Sequence, residues 1–376
     1  MEHHVLCDRL PLGGSYFVEV GELMNAQVAE VVDVVSEFPD LQELSVKLAE
    51  NGCTVRAICY PKITGTAQPG DEVIVNTTAV DLGLGSGGTH FVVWVLGRDR
   101  LSNQLPGHIM KMRYTPMQLA TGSYEENPAY RGAIDSFSGL DGMPVVICEL
   151  HSMVAPVLAG FSGKAAYIMT DGAALPYALS KVVRRLKEER LFHVSITAGH
   201  AFGGDLEAVN VHSALVAAYA VCRCEGAVVA MGPGIVGTGT QYGFSGIEQA
   251  HIADAVNRMG GRAIIVPRLS RCDPRERHHV LSHHTVTVLA DVCCTPATCV
   301  LASDMDDGFR RKVEERLCGI LKAGGHRLAY APGGGAIDEL KERGIELSTM
   351  GRGFDEEPEF FLTSAAGGAY ARKLVH

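Results

Sequence analysis

At 376 residues, with 47% hydrophobic and 20% charged side chains, the chain is long enough for two domains and a sizeable core and is not of disordered composition. A formal charge of -10 excludes the basic face that nucleic acid or an anionic membrane would need, and the densest basic run, Arg184, Arg185, Lys187 and Arg190, reads as a solvated helix face. No apolar run reaches the roughly 18 residues of a membrane span, and the first ten residues, MEHHVLCDRL, carry neither a positive leader nor a long apolar segment, so a cytoplasmic protein is expected.

From Ala26 to Val95 the signals are those of β structure. Val28 to Val35, Leu44 to Leu48, Cys53 to Cys59, Glu72 to Asn76 and His90 to Leu96 are short runs rich in Val, Ile and Thr. Asn51-Gly52 lies between two alternating runs, the signal of a tight hairpin with positive φ at both central residues, and Pro69-Gly70-Asp71 marks another turn. Strands joined this way predict a small antiparallel barrel or sandwich over residues 1–97. The glycine-rich stretch Asp81 to His90 reads equally as a loop that touches a ligand and as a bulged hairpin. Residues 98–143, with Asn103, Pro106, Glu125, Glu126, Asn127 and Pro128, are turn-rich and polar, as expected of a connecting segment.

After Gly142 the rhythm becomes strand and helix in alternation. Apolar runs at Val145 to Leu150, Ala165 to Met169, Phe192 to Thr197, Ala227 to Met231, Ala263 to Val266, Thr298 to Ala302 and Leu328 to Ala331 have the length of strands covered on both faces. Leu175, Ala178, Leu179, Val182 and Leu186 fall at helical spacing, as do Phe309, Val313, Leu317 and Leu321. The pattern predicts an α/β class with a mostly parallel, Rossmann-like sheet over residues 144–376. Cysteines 7, 53, 59, 148, 222, 224, 272, 293, 294, 299 and 318 are scattered without a C-x-x-C pair, and most are expected to act as small buried hydrophobes.

Polar and glycine residues follow nearly every predicted strand in this half, and a parallel sheet would gather them at one edge. The central feature is Ala227 to Gly246, AVVAMGPGIVGTGTQYGFSG, where a buried run stops in a glycine-rich loop. It is neither a Walker loop nor a dinucleotide fingerprint, since no Gly-Lys-Ser/Thr closes it and Gly237-x-Gly239-x-x-x-Gly243 misses the spacing by one residue. Gly232, Gly234, Gly237, Thr238, Gly239 and Thr240 are candidate ligand contacts through backbone N–H groups and hydroxyls.

His200 with Asp205 and Glu207 is a candidate acid/base or metal set, an imidazole whose tautomer a carboxylate would fix; Asp205 could instead cap the helix through Val211 and Leu215. His278, His279, His283 and His284 in HHVLSHHT resemble part of a metal site, with Ser282 as an alternative cap for a helix through Val286. His283 and His284 are carried as catalytic candidates, and no metal or cofactor is specified. Arg275 and Arg277 could clamp an anion or form local ion pairs, and Asp171 could bind a ligand or cap a helix. No G-x-S-x-G elbow is present, which disfavours serine hydrolase chemistry.

The strings NTTAVDLGLGSGGTHFVV, MTDGAALP, GHAFGGDLEAVNVHSAL, MGPGIVGTGT and DPRERHHVLSHHT resemble those of a family catalogued only as a domain of unknown function and found mainly among Gram-positive bacteria. The resemblance spans essentially the full chain and implies a bacterial cytoplasmic protein, with no activity attached. Two readings of function remain open. One is an enzyme, a hydrolase, lyase or transferase, acting on a small anionic metabolite at the carboxyl edge of the sheet. The other is a noncatalytic metabolite sensor or scaffold whose β domain docks a protein; homo-oligomerisation is compatible with both.

Overall fold

The structure, a computed structural model, describes residues 23–85, 87–102 and 107–375. The expectations placed on the amino-terminal ten residues and Cys7, on Ser86 within the glycine-rich stretch, and on Asn103 and Pro106 lie outside the described residues. The chain forms two compact units, one ending at Leu101 and one spanning Ser102–His376.

The first unit is a closed five-stranded barrel: β1 (Ala26–Phe38), β2 (Leu41–Leu48), β3 (Thr54–Cys59), β4 (Glu72–Asn76) and β5 (Thr89–Val95), in the order β1-β2-β3-β5-β4. Alternation puts Ala29, Val31, Leu44, Val46, Val73, Val75 and Val92 inside. Closure requires β1 to pair with β2 and β4 at once, and register shifts between Val31 and Asp33 and between Val34 and Ser36 curve it enough to do so. The pairing of β3 with β5 is parallel, so the barrel is not purely antiparallel as expected. The β2–β3 hairpin forms in the expected place with a wider turn: Gly52 alone has positive φ, and the Asn51 side chain accepts from Cys53 N at 2.9 Å.

The second unit holds an eight-stranded sheet. Its members are β6 (Pro144–Cys148), β7 (Ala165–Thr170), β8 (Val194–Ala198), β9 (Leu206–Ala208), β10 (Gly226–Met231), β11 (Arg262–Val266), β12 (Thr298–Ala302) and β13 (Arg327–Ala331), in the order β9-β8-β7-β10-β6-β11-β12-β13. Every pairing is parallel. The inner strands are buried on both faces, which is why they read as unbroken apolar runs. The edge strand β9 is three residues long and carries no such signal. From β6 the chain runs outward through β7, β8 and β9, returns to insert β10 beside β6, then crosses to β11 and the other edge. The strand order reverses at β6 and β10, and in open parallel sheets the carboxyl ends at such a reversal are where ligands bind.

Residues from Ser102 onward belong to the second unit, so most of the expected connecting segment is part of the α/β body. Lys111 is buried there, the Tyr124 hydroxyl donates to the Ser213 carbonyl at 2.9 Å, and Leu140 N donates to Met259 O at 2.7 Å. The helix Asp307–Gly324 buries Phe309, Val313, Leu317 and Leu321, matching the sequence periodicity. The helix expected from Leu175 splits, because Ser180 accepts from Val183 N and starts a separate helix at Lys181 after a single 3-10 turn. The helices Val154–Phe161 and Pro358–Lys373 cross closely, since a Cβ on Gly160 would run into the Ala365 carbonyl and one on Gly368 into the Val157 carbonyl. Cys59, Cys148, Cys224 and Cys299 are buried as expected, whereas Cys53, Cys272, Cys294 and Cys318 are exposed, and all of these are free thiols. No helix among the described residues is long and apolar enough to cross a membrane.

Candidate functional site

The central strand β6 ends at Cys148, and the next residue, Glu149, is wholly buried just beyond its carboxyl end. Its Oε1 accepts from Arg268, which follows β11, at 3.0 Å and lies 2.7 Å from His284 Nδ1. Burial alone would raise the Glu149 carboxyl, but the Arg268 charge and the His284 hydrogen bond hold it below its ordinary value. Its other oxygen, Oε2, is buried without a hydrogen-bond partner among the described residues. The His284 ring also stacks on Phe244 at 3.8 Å between centroids, which ties it to the end of the glycine loop.

Two more imidazoles join this group. His283 and His284 open the helix His283–Thr287, capped by Ser282, whose Oγ accepts from His284 N at 3.2 Å and lies 2.8 Å from His278 Nδ1. Ser282 thus caps a helix and holds the neighbouring imidazole with the same oxygen. One ring nitrogen from each of His278, His283 and His284 lies within 4.8 Å of the other two. His283 Nε2 is buried and has no hydrogen-bond partner among the described residues. Burial and the surrounding positive charge push His278 down to about 3, and burial followed by His284 and Arg277 lowers His283. His279 is exposed and stands outside the cluster.

The two arginines have different fates. Arg275 is spent on Asp273, through Nε at 2.9 Å and Nη2 at 2.7 Å, so it is not a free clamp, and Asp273 does not orient His283. Burial would raise Asp273, but Arg275 holds it well below the usual carboxylate range. Arg277 is exposed and makes no ion pair among the described residues; a Cβ on Gly239 would sit 3.5 Å from its guanidinium carbon.

The glycine loop after β10 is a small hairpin. Gly237 bridges Phe244, and Thr238 donates its N–H to Gly243 O at 2.8 Å while its hydroxyl lies 2.9 Å from that of Thr240. The N–H groups of Gly239 and Thr240 donate to nothing among the described residues. Gly232 has a packing role, because a Cβ there would strike the Ala174 carbonyl, and Ala174 N donates to Pro233 O at 3.0 Å. Gly234 supplies a φ of 99° in open space.

The pairing expected around His200 does not form. Asp205 accepts from Ser195 N at 3.0 Å and Ser195 Oγ at 2.7 Å and pairs with Lys187 at 2.5 Å, so it pins the loop before β9 back onto β8. The helix cap that was its alternative role falls to Asn210. Glu207 is likewise committed, to Lys111, Thr197 and Gly203 N. His200 Nδ1 accepts from Met112 N at 2.9 Å, which leaves the proton of the neutral ring on Nε2, and Asp171 accepts from the His200 backbone N–H at 2.8 Å. His200 shares the carboxyl edge with the glycine hairpin, but β8 is three strand spacings from β6, roughly 14 Å, too far for contact with Glu149.

Between these two groups lies Glu248, the first residue of the helix Glu248–Arg258. It accepts from the Thr170 hydroxyl at the end of β7, and burial raises its carboxyl to about 7, with the Asp171 charge adding to the shift. Lys111 is fully buried, with its ammonium donating to Thr197 O at 3.1 Å, Ala201 O at 2.5 Å and Glu207 at 2.6 Å; burial lowers its pKa and Glu207 opposes the shift. His151 bridges Met231 O and Ser180 Oγ, and burial pushes it down to about 4. Sequence reasoning assigned no role to Glu149, Arg268, Glu248, Lys111 or Phe244. For Glu149 a signal is present, since it is the one charged residue inside the otherwise apolar run Val145 to Leu150.

The chain belongs to the family described as protein of unknown function (DUF3866), whose model matches residues 56–368. No curated protein and no solved structure matches the chain.

Proposed function

For this member of the family we propose an enzyme acting on a small anionic metabolite, held beyond the carboxyl edge of the parallel sheet between the glycine hairpin and the loops after β6 and β11. The observation that carries the reading is the meeting of charged and unsatisfied groups at the sheet's reversal point. A buried Glu149–Arg268 pair, three imidazoles with an orphaned ring nitrogen, an uncommitted Arg277 and two free backbone amides all lie there. Arg277 with the N–H groups of Gly239 and Thr240 would hold the anion. Glu248, whose carboxyl titrates near neutrality, would move a proton during hydrolysis, lysis or group transfer. His200 can serve in its neutral form only as a donor through Nε2.

A panel of phosphorylated and carboxylated metabolites, scored first by thermal stabilisation and then by turnover, tests the reading. Glu248→Gln should abolish turnover of any hit, and Arg277→Ala should weaken its binding. Wild-type turnover in Glu248→Gln would remove Glu248 from the mechanism, and a panel with no binder would remove the anion site.

One observation favours the second reading, a noncatalytic sensor whose barrel docks a protein. Val28, Val32 and Val35 of β1 are 39%, 49% and 62% exposed. Under that reading a ligand stabilises the protein without product, and Val32→Glu releases the partner.

A further inference from the structure

We propose that His278, His283 and His284 form a three-histidine site for a first-row divalent cation, zinc by ligand type, with Glu149 and Ser282 as the groups that orient two of its ligands. Three neutral imidazoles with further positions left open are a known way to hold zinc. The seven residues from His278 to His284 supply all three rings from one short turn and one helix start.

Ligand orientation is the first support. An imidazole that binds metal through one nitrogen needs its other N–H held by an acceptor, which fixes the tautomer and raises the basicity of the free nitrogen. His284 Nδ1 lies 2.7 Å from the Glu149 carboxylate, and His278 Nδ1 lies 2.8 Å from Ser282 Oγ. The carboxylate can only accept, so His284 carries its proton on Nδ1 and presents the Nε2 lone pair. Ser282 Oγ is both donor and acceptor, so it holds the His278 ring through Nδ1, and zinc would select the tautomer whose Nε2 is free.

An unmet demand is the second. His283 Nε2 is buried with no hydrogen-bond partner among the described residues, and one ring nitrogen of each neighbouring histidine lies within 4.8 Å, so a cation would satisfy a nitrogen that no protein group reaches. Tetrahedral metal–nitrogen bonds of roughly 2.0–2.1 Å place ligand nitrogens about 3.4 Å apart, so separations within 4.8 Å need to close by at most about 1.5 Å. Imidazole donors without thiolate favour zinc and its first-row neighbours over magnesium or calcium, which take oxygen.

Arg268 shapes the site as well. Its ion pair with Glu149 spends part of the carboxylate's charge, so Glu149 acts as an acceptor for His284. The histidines' part in the proposed chemistry is then to hold a cation beside the anion-binding loop, but the cation site stands whether or not the protein turns over a substrate.

The full-length protein, stripped with a chelator and titrated with zinc chloride alone, tests this without any substrate. The expected result is one zinc per chain at micromolar affinity or better. The cobalt-loaded form should show the visible d–d bands of nitrogen ligation without the near-ultraviolet charge transfer of thiolate. His283→Ala, at the least buried of the three rings, should abolish stoichiometric uptake with the fold retained by circular dichroism. Glu149→Gln should weaken binding by about 10- to 100-fold, and Asp205→Asn should leave it unchanged. Failure of the wild-type chain to take up zinc, uptake undiminished in a folded His283→Ala, or a thiolate-type cobalt spectrum would each overturn the proposal.

Discussion

Glutamine at position 248 should make the protein more stable at neutral and alkaline pH while leaving it unchanged in acid. Burial raises the Glu248 carboxyl from 4.5 to about 7, partly offset by the Thr170 hydroxyl and reinforced by Asp171. Below pH 4.5 the folded and unfolded chains both carry the proton, and the residue contributes no pH dependence. As pH rises from there to about 7, the unfolded chain gives up its proton first, so the folded state loses stability over that window. At about 1.4 kcal/mol per pH unit, the gap amounts to about 3 kcal/mol lost above pH 7. Glutamine keeps the oxygen that accepts from Thr170 and cannot ionise, so it should recover most of that loss. Urea unfolding of both proteins at a series of pH values between about 4 and 9 reads the difference directly. Parallel stability profiles for wild type and variant would refute the reasoning.

Other perturbations test the packing and charge of the same body. Arg268→Met should cost about 3–5 kcal/mol, because among the described residues it leaves Glu149 buried with only His284 as a partner; adding Glu149→Leu should restore much of it, and a single variant as stable as wild type in urea would contradict the account. Gly368→Ala should lower stability by about 3 kcal/mol, since the new methyl group meets the Val157 carbonyl and Phe161 N of the facing helix. An unchanged melting temperature would mean that the two helices do not cross as closely as described. Ser282→Ala should cost about 1 kcal/mol as a lost cap and should also weaken zinc binding, because the same oxygen holds His278. A stability loss with wild-type zinc affinity would separate the two roles.

Much of the fold is legible in the chain because doubly covered strands must be apolar throughout. The runs ending at Leu150, Met231 and Val266 mark β6, β10 and β11 to within a residue or two. The helix Asp307–Gly324 is equally plain from the spacing of Phe309, Val313, Leu317 and Leu321. β9 is not legible, because three residues at a sheet edge, only the last of them buried, carry no pattern. The candidate site was legible in kind but not in pairing. His283, His284 and Arg277 lie where strand ends gather, yet Asp205, the nearest carboxylate in sequence to His200, serves Ser195 and Lys187, while His284 takes its carboxylate from Glu149.

Sequence by itself determined the class of each half and the edge at which polar loops collect, since both follow from local periodicity and from strands running in one direction. Tertiary structure alone decided the strand order, and with it that β10 inserts beside β6 and brings the glycine hairpin and Phe244 against His284. The physical reason is that an ion pair or an imidazole contact is set by distance in space. Residues 135 positions apart, Glu149 and His284, share a hydrogen bond that no local pattern of side chains encodes.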